Sequence, residues 1–208
     1  MDINFIMALS CAPAAIIGLI KFKGAELKFR PFILILSLSL CTELLIKLII
    51  ETESWKLYYL VGNIYYLTNV FLYYEFFRKT TFEQKSNRLC YFSAFVLIFM
   101  FNALVKNPIQ SLFLYAAVLY SLFILACSVR LLSNQVFETR QPFFKNPLFF
   151  IATGCILFNT YFIFTQTVYF TIGNIGWLTN DTFFIEKIIN TITYLFFLIA
   201  VLCIPRKN

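Results

Sequence analysis

Long apolar runs recur along this chain too often and at too great a length to belong to a soluble core. They cover residues 4–20, 31–50, 55–77, 89–105, 110–132, 147–170 and 182–204. Each is close to the roughly 20 residues that an α-helix needs to cross the hydrocarbon of a bilayer. A soluble domain has to meet water with polar side chains, and here 61% of the 208 residues are hydrophobic while 13% are charged. In lipid the same runs are stable as helices, because a helix satisfies its backbone N–H and C=O groups internally. The expected fold is an all-α membrane protein: a bundle of seven transmembrane helices forming a single polytopic domain over residues 1–208. The spans and their loops leave no stretch for a separate soluble domain.

The loops give the bundle a direction. One set holds Lys21, Lys23, Lys28 and Arg30, then Arg78, Lys79, Lys85 and Arg88, then Arg130, Arg140 and Lys145, and finally Arg206 and Lys207. The opposite set holds only Lys56 and Lys106, beside Asp2, Glu51, Glu53 and Asp181. Thirteen basic residues against two is a strong positive-inside bias. It predicts an N-terminus outside, a cytoplasmic C-terminus, and an odd number of spans in the cell (inner) membrane. The first run is expected to be an uncleaved span, since its basic residues follow it where a signal peptide would carry them in front. Topology and anionic lipid also account for the net charge of +7, so the bilayer is the expected partner and nucleic acid is not. Trp55, Tyr58 and Tyr59 at one end of the third run, and Tyr73 and Tyr74 toward the other, suit the membrane interfaces. Trp177 is expected in the last outer loop, among the turn signals Gly173, Gly176 and Asn180. The longest inner loop is expected over 132–146.

Several chemistries are excluded by residue type. The chain has no histidine, which removes His-ligated haem, His-containing zinc sites and His-based nucleophilic catalysis. Cys11, Cys41, Cys90, Cys127, Cys155 and Cys203 fall singly, one to an apolar run, without CxxC spacing. They read as small buried hydrophobes, so no metal or cofactor is expected. The runs contain no aspartate for an intramembrane protease, and the last run has no deep lysine for a retinal Schiff base. No catalytic constellation emerges, and an enzyme is not expected.

Polar groups inside apolar runs are costly, so they are where function is sought. Glu43 and Lys47 lie one turn apart in the second run, and Asn63 and Tyr66 share a face of the third. Asn159 and Gln166 align in the sixth, and Glu186, Asn190 and Thr193 form a stripe in the seventh. Counting along the helices places most of them in the outer half of the bilayer. A polar pocket open to the outside is therefore a candidate, lined by Glu43, Asn63, Tyr66, Asn159, Gln166, Glu186 and Asn190. Glu43 is expected to pair with Lys47 or Lys187. The plainer reading has the charged groups snorkelling to the interface and the amides joining helices.

Four stretches carry a family resemblance: ALSCAPAAIIGLIKF, YYLVGNIYYLTNVFLYYEFF, NPLFFIATGCILFNTYFIF and IEKIINTITYLFFLIAVLCIPRK. In this order they resemble a group of small seven-span proteins of Bacteroidota, and the layout looks like the seven-span input regions of sensor histidine kinases. The resemblance implies a sensory or signalling-associated protein. A small molecule or lipid in the outer pocket would bias helix packing, and the loops over 78–88 and 130–146 would pass that bias to a separate histidine kinase or other partner. Anchoring to anionic headgroups is the simpler role for those loops. The resemblance brings no catalytic residues. Relatives carry Trp and His near the start of the last span, where this chain has Phe184, Ile185 and Glu186. A small-solute transporter or channel is the alternative, and an assembly subunit of a membrane complex is a third. A transporter needs a polar path through the inner half, whereas a sensor needs only a blind pocket.

Overall fold

The computed structural model describes residues 9–52, 54–81, 114–138, 145–172 and 176–205. The expected fourth span over 89–105 lies outside the described residues, as do Lys85, Arg88, Lys106, Arg140, Arg206 and Lys207. A 3-10 turn, Leu9–Cys11, leads into α1 (Ala12–Lys21). Then follow α2 (Arg30–Glu51), α3 (Trp55–Thr80), α4 (Leu114–Glu138), α5 (Pro147–Ile172) and α6 (Gly176–Cys203). Among the described residues the protein is helical throughout, with no strand.

Side-chain chemistry sets the helix ends. Pro13 and Pro31 sit in the first turns of α1 and α2, where a missing N–H costs nothing. Pro13 follows directly on Ala12, the first residue of α1. Asn146 caps α5: its Oδ1 accepts from the Leu148 N–H at 3.0 Å, and Pro147 takes the first helical position. At the far end of the chain, the Lys21 ammonium donates to the carbonyls of Val201 (3.1 Å) and Leu202 (2.7 Å). It thereby satisfies the free C-terminal carbonyls of α6 and faces the negative end of its dipole.

Two helices run further than their apolar patterns. α4 continues to Glu138, so the expected inner loop over 132–146 is partly helix. α6 begins at Gly176, so Trp177 and Asn180 lie in a helix and not in an outer loop. At 28 residues α6 is roughly 42 Å long, more than the ~30 Å of hydrocarbon, so hydropathy alone could not mark its start.

The molecule is inside-out with respect to a water-soluble protein. Its outer surface carries Leu19, Ile20, Leu48, Phe71, Phe164, Leu195 and Leu202, all more than half exposed. Its interior holds Ser39, Asn63, Asn69, Ser128, Asn159 and Thr193. That distribution is stable only when the surrounding solvent is lipid. The ranges Arg30–Ile50, Ala117–Phe137, Pro147–Val168 and Phe184–Cys203 are long and apolar enough to cross a membrane. The protein is a membrane-embedded helical bundle. The third expected span, α3, has the length (26 residues) but not the hydropathy. Its amides Asn63 and Asn69 are buried inside the bundle, and Leu57, Ile64 and Phe71, seven apart, form its exposed apolar stripe.

The six described helices contact one another in chain order around a ring, with α6 returning to touch α1. Small residues allow the closest approaches. Ala14, Ala15 and Gly18 line one buried face of α1, with Cys11 buried in the turn before it, and a Cβ on Gly18 would stand 3.1 Å from Ile33 on α2. Directions follow from the contacts. Lys21 joins the C-terminal ends of α1 and α6. Phe32, near the start of α2, meets Phe76, near the end of α3, and Phe197, near the end of α6. Asn146 at the start of α5 donates to Gln135 near the end of α4 at 2.6 Å. All these termini therefore share one end of the ring, together with Lys23, Lys28, Arg30, Arg78, Lys79 and Lys145. Tyr66 and Phe77 of α3 meet Tyr120 and Phe123 of α4 in the same order along both helices, so these neighbours run parallel. Their contact is the narrowest in the ring.

Candidate functional site

The half of the ring away from the basic end encloses a partly open cavity of about 260 Å³. α2 contributes Ser39, Thr42, Glu43 and Ile46, which recur at one-turn spacing along a single face. α3 contributes Tyr58, Gly62, Tyr65 and Tyr66, with the glycine leaving space between the rings. Phe158 and Phe162, one turn apart, come from α5, and Glu186, Asn190 and Tyr194 come from α6. Ser39 Oγ donates its only hydrogen to the Ile35 carbonyl at 3.0 Å, so across the helices it accepts from the Tyr65 hydroxyl at 3.1 Å. This bond ties α2 to α3 at the cavity wall.

The two carboxyl groups face the same space and are near enough to influence each other electrostatically. The lining contains no lysine or arginine among the described residues. Salt bridges between described residues join Lys28 to Glu26, and Glu75 to Arg78 and Lys79. All three lie at the basic end, and none reaches Glu43. The pairing expected between Glu43 and Lys47 or Lys187 is therefore not among them. Lys187 stands next to Glu186 in sequence and acts on it electrostatically.

Toward the basic end the cavity has a floor. Ile33 and Leu36 lie below Ser39 on α2, Val70 and Phe76 on α3, and Ile151 on α5, all with no exposed surface. Phe32 binds this layer together, with Phe76 at 5.7 Å and the Phe197 ring edge-on at 5.2 Å. Tyr73 stacks on Phe77 at 5.9 Å, and Phe77 meets Phe123 at 6.3 Å. Buried polar groups also stand at this level: Asn69 on α3 and Ser128 on α4 have almost no exposed surface, and the Tyr73 hydroxyl lies 3.8 Å from Cys155 Sγ.

Of the seven pocket residues expected from sequence, four line the cavity: Glu43, Tyr66, Glu186 and Asn190. Asn63 is fully buried, one residue from the lining Gly62 and so turned about 100° from it. Asn159 is buried beside the lining Phe158, and its Nδ2 donates to its own helix at the Cys155 carbonyl, 2.8 Å away. Gln166 is half-buried, one turn beyond Phe162 and outside the lining. Sequence reasoning missed Ser39, Thr42, Tyr58, Tyr65, Tyr194 and the two phenylalanines. A signal for some was present. Ser39 and Tyr194 each extend a recognised stripe by one turn, from Glu43 and from Asn190.

The basic residues of the expected cytoplasmic loops have structural work at their end of the ring. Arg30 Nη2 donates to the Lys23 carbonyl at 3.2 Å and its guanidinium lies 5.4 Å from the Phe22 ring. Lys28 lies over Phe29 at 5.1 Å, and Arg130 sits on an exposed turn of α4. No protein-family model, curated protein or solved structure matches the chain.

Proposed function

We propose that this chain is a seven-span, receptor-like protein of the cell membrane that binds a small ligand from the outside and signals through its cytoplasmic end. The carrying observation is the cavity in one half of the ring above a floor of interlocked aromatic rings. A transporter has to open a polar route through that floor, whereas a receptor needs only the blind pocket. The seven-span count draws support from the parallel run of α3 and α4. α3 finishes at the basic end and α4 starts at the opposite one, and the sequence between them contains the apolar run 89–105. The clustering of basic residues at the floor end supports a cytoplasmic placement for that end by the positive-inside rule. Glu43, Tyr66, Glu186 and Asn190 then form the pocket, and ligand binding shifts the packing of α2, α3 and α6 around it. The exposed basic surface near Arg78 and Arg130 would engage a separate histidine kinase or another membrane-associated partner.

The test is thermal unfolding of the purified protein across a panel of metabolites and lipids, followed by uptake into proteoliposomes. A ligand that raises the melting temperature has bound the folded state. It is expected to lose its effect in Glu43→Gln and not to accumulate in the vesicle lumen. Concentrative uptake would replace the receptor reading with transport.

A further inference from the structure

The lining of the cavity carries two carboxyl groups, an amide and four tyrosines, and its described residues include no cation. In a chain of net charge +7, whose described basic residues other than Lys47, Lys56 and Lys187 gather at the other end, the sign of the lining itself is the reverse of the whole. Two carboxyl groups facing one low-dielectric space repel each other when both are charged, and a guest cation would turn that repulsion into attraction. The walls beside them are aromatic. Tyr58, Tyr66, Tyr194 and Phe162 supply π faces and apolar edges, the surroundings in which an alkylammonium is held by its charge and its methyl groups together. No group of three or more His, Cys, Asp or Glu residues occurs among the described residues to hold a bare metal ion. At about 260 Å³ the space is smaller than the ~300–1,000 Å³ of drug-sized sites, which limits the guest to a head group or a small amine.

The geometry points to a small organic cation, an alkylammonium or quaternary ammonium head, as the ligand of this cavity, held between Glu43 and Glu186 against the tyrosine walls. This rests on the receptor reading for the cavity being a ligand site, and it adds the class of ligand. The head can come from a free amine or from the amine headgroup of a lipid, which presents the same chemistry.

The experiment uses the full chain in nanodiscs of phosphatidylglycerol. Thermal unfolding is followed with choline chloride, tetramethylammonium chloride, sodium chloride at matched ionic strength, and 3,3-dimethylbutan-1-ol, the uncharged carbon analogue of choline. Binding of radiolabelled choline is measured alongside. Choline and tetramethylammonium are expected to raise the melting temperature saturably, while sodium chloride and the uncharged analogue leave it unchanged. Glu43→Gln and Glu186→Gln are each expected to weaken choline binding by about tenfold or more, the scale of a lost charge-assisted contact. Should either variant fail to fold, the contrast between choline and its neutral analogue on the unaltered protein decides alone.

Equal stabilisation by the neutral analogue would overturn the cation assignment and leave the receptor reading standing. No response to either quaternary ammonium would also overturn it, and the receptor reading then stands or falls on the metabolite panel and the uptake assay. A second set of discs containing phosphatidylcholine separates the sources. Choline binding that persists there assigns a free cation, and choline displaced by that lipid assigns a headgroup, with the class of ligand upheld in both.

Discussion

The two halves of the ring differ in how they are filled. At the basic end, large rings interlock: Phe29, Phe32, Phe76 and Phe77 have essentially no exposed surface, Lys21 ties α1 to α6, and Arg30 and Asn146 tie loop to helix. At the other end, side chains of similar size stand back around a cavity, and polar groups face it. Packing density is where a membrane protein gains its stability, since burial away from lipid offers little by itself. The floor therefore holds the ring together. The cavity half gives up packing and keeps the groups that recognise a ligand, as binding sites generally do. Substitutions in the two halves should then differ in size, and at the cavity even in sign.

The largest loss is expected at the floor. Phe32 touches both Phe76 and Phe197, so Phe32→Ala removes the ring that links α2 to α3 and α6. Soluble cores lose ~3–5 kcal/mol on such a change, but lipid is as apolar as the core, so part of the transfer cost falls away and about 2–3 kcal/mol remains. Reversible unfolding in mixed micelles measures it. Next comes Gly154→Ala. Its new methyl would lie 2.6 Å from Phe197 Cε1 and 3.0 Å from Cδ1, and that ring is buried edge-on against Phe32. The ring has nowhere free to move, so about 1–2 kcal/mol of overpacking is expected, and the α5–α6 seam should loosen in hydrogen exchange. If either variant proved neutral, the floor would not be the rigid half.

What could be read from the sequence follows the same division. Charge was legible, because a lysine or glutamate in an apolar run stands out: the basic end, Glu43 and Glu186 were found that way, and Tyr66 and Asn190 by sharing a helix face with another polar residue. The floor was not. Phe162 and Phe164 are two residues apart on α5, yet one lines the cavity and the other is 60% exposed. Lipid accepts phenylalanine as readily as the interior does, so the amphipathic signal that marks a core face in water is missing. Tyrosine is ambiguous for another reason. Tyr58 suits an interface and a pocket wall equally, and only the ring of neighbours decides. Asn159 misled because an amide can be satisfied by its own helix.

Asn146→Ala tests the edge of the rigid half. The substitution removes the cap on the Leu148 N–H and the 2.6 Å bond to Gln135 that joins α4 to α5. A lost N-cap costs about 1 kcal/mol. Asn146→Asp keeps the cap acceptor but loses the amide N–H that Gln135 accepts, so it should recover most of that stability only if the link to Gln135 is the lesser part. A cost as large as that of Phe32→Ala would mean that loop ties, and not ring packing, hold this end.

The smallest effect, and the one whose sign is informative, is expected at Glu43→Gln. The amide keeps the shape of the side chain at the cavity wall but removes a group that can carry charge next to Glu186, where no basic residue is among the described lining. Removing one of two facing carboxyl groups relieves repulsion and the cost of holding charge away from water, so the ligand-free protein should be unchanged or up to about 1 kcal/mol more stable. The same change should weaken cation binding, giving stability and function opposite signs at one residue. Glu43 would then be kept for recognition at some cost to the fold. A destabilisation near that of Phe32→Ala would instead make Glu43 part of the framework. The contrast between a packed floor and a recognising cavity would then fail at the residue where it is most exposed to test.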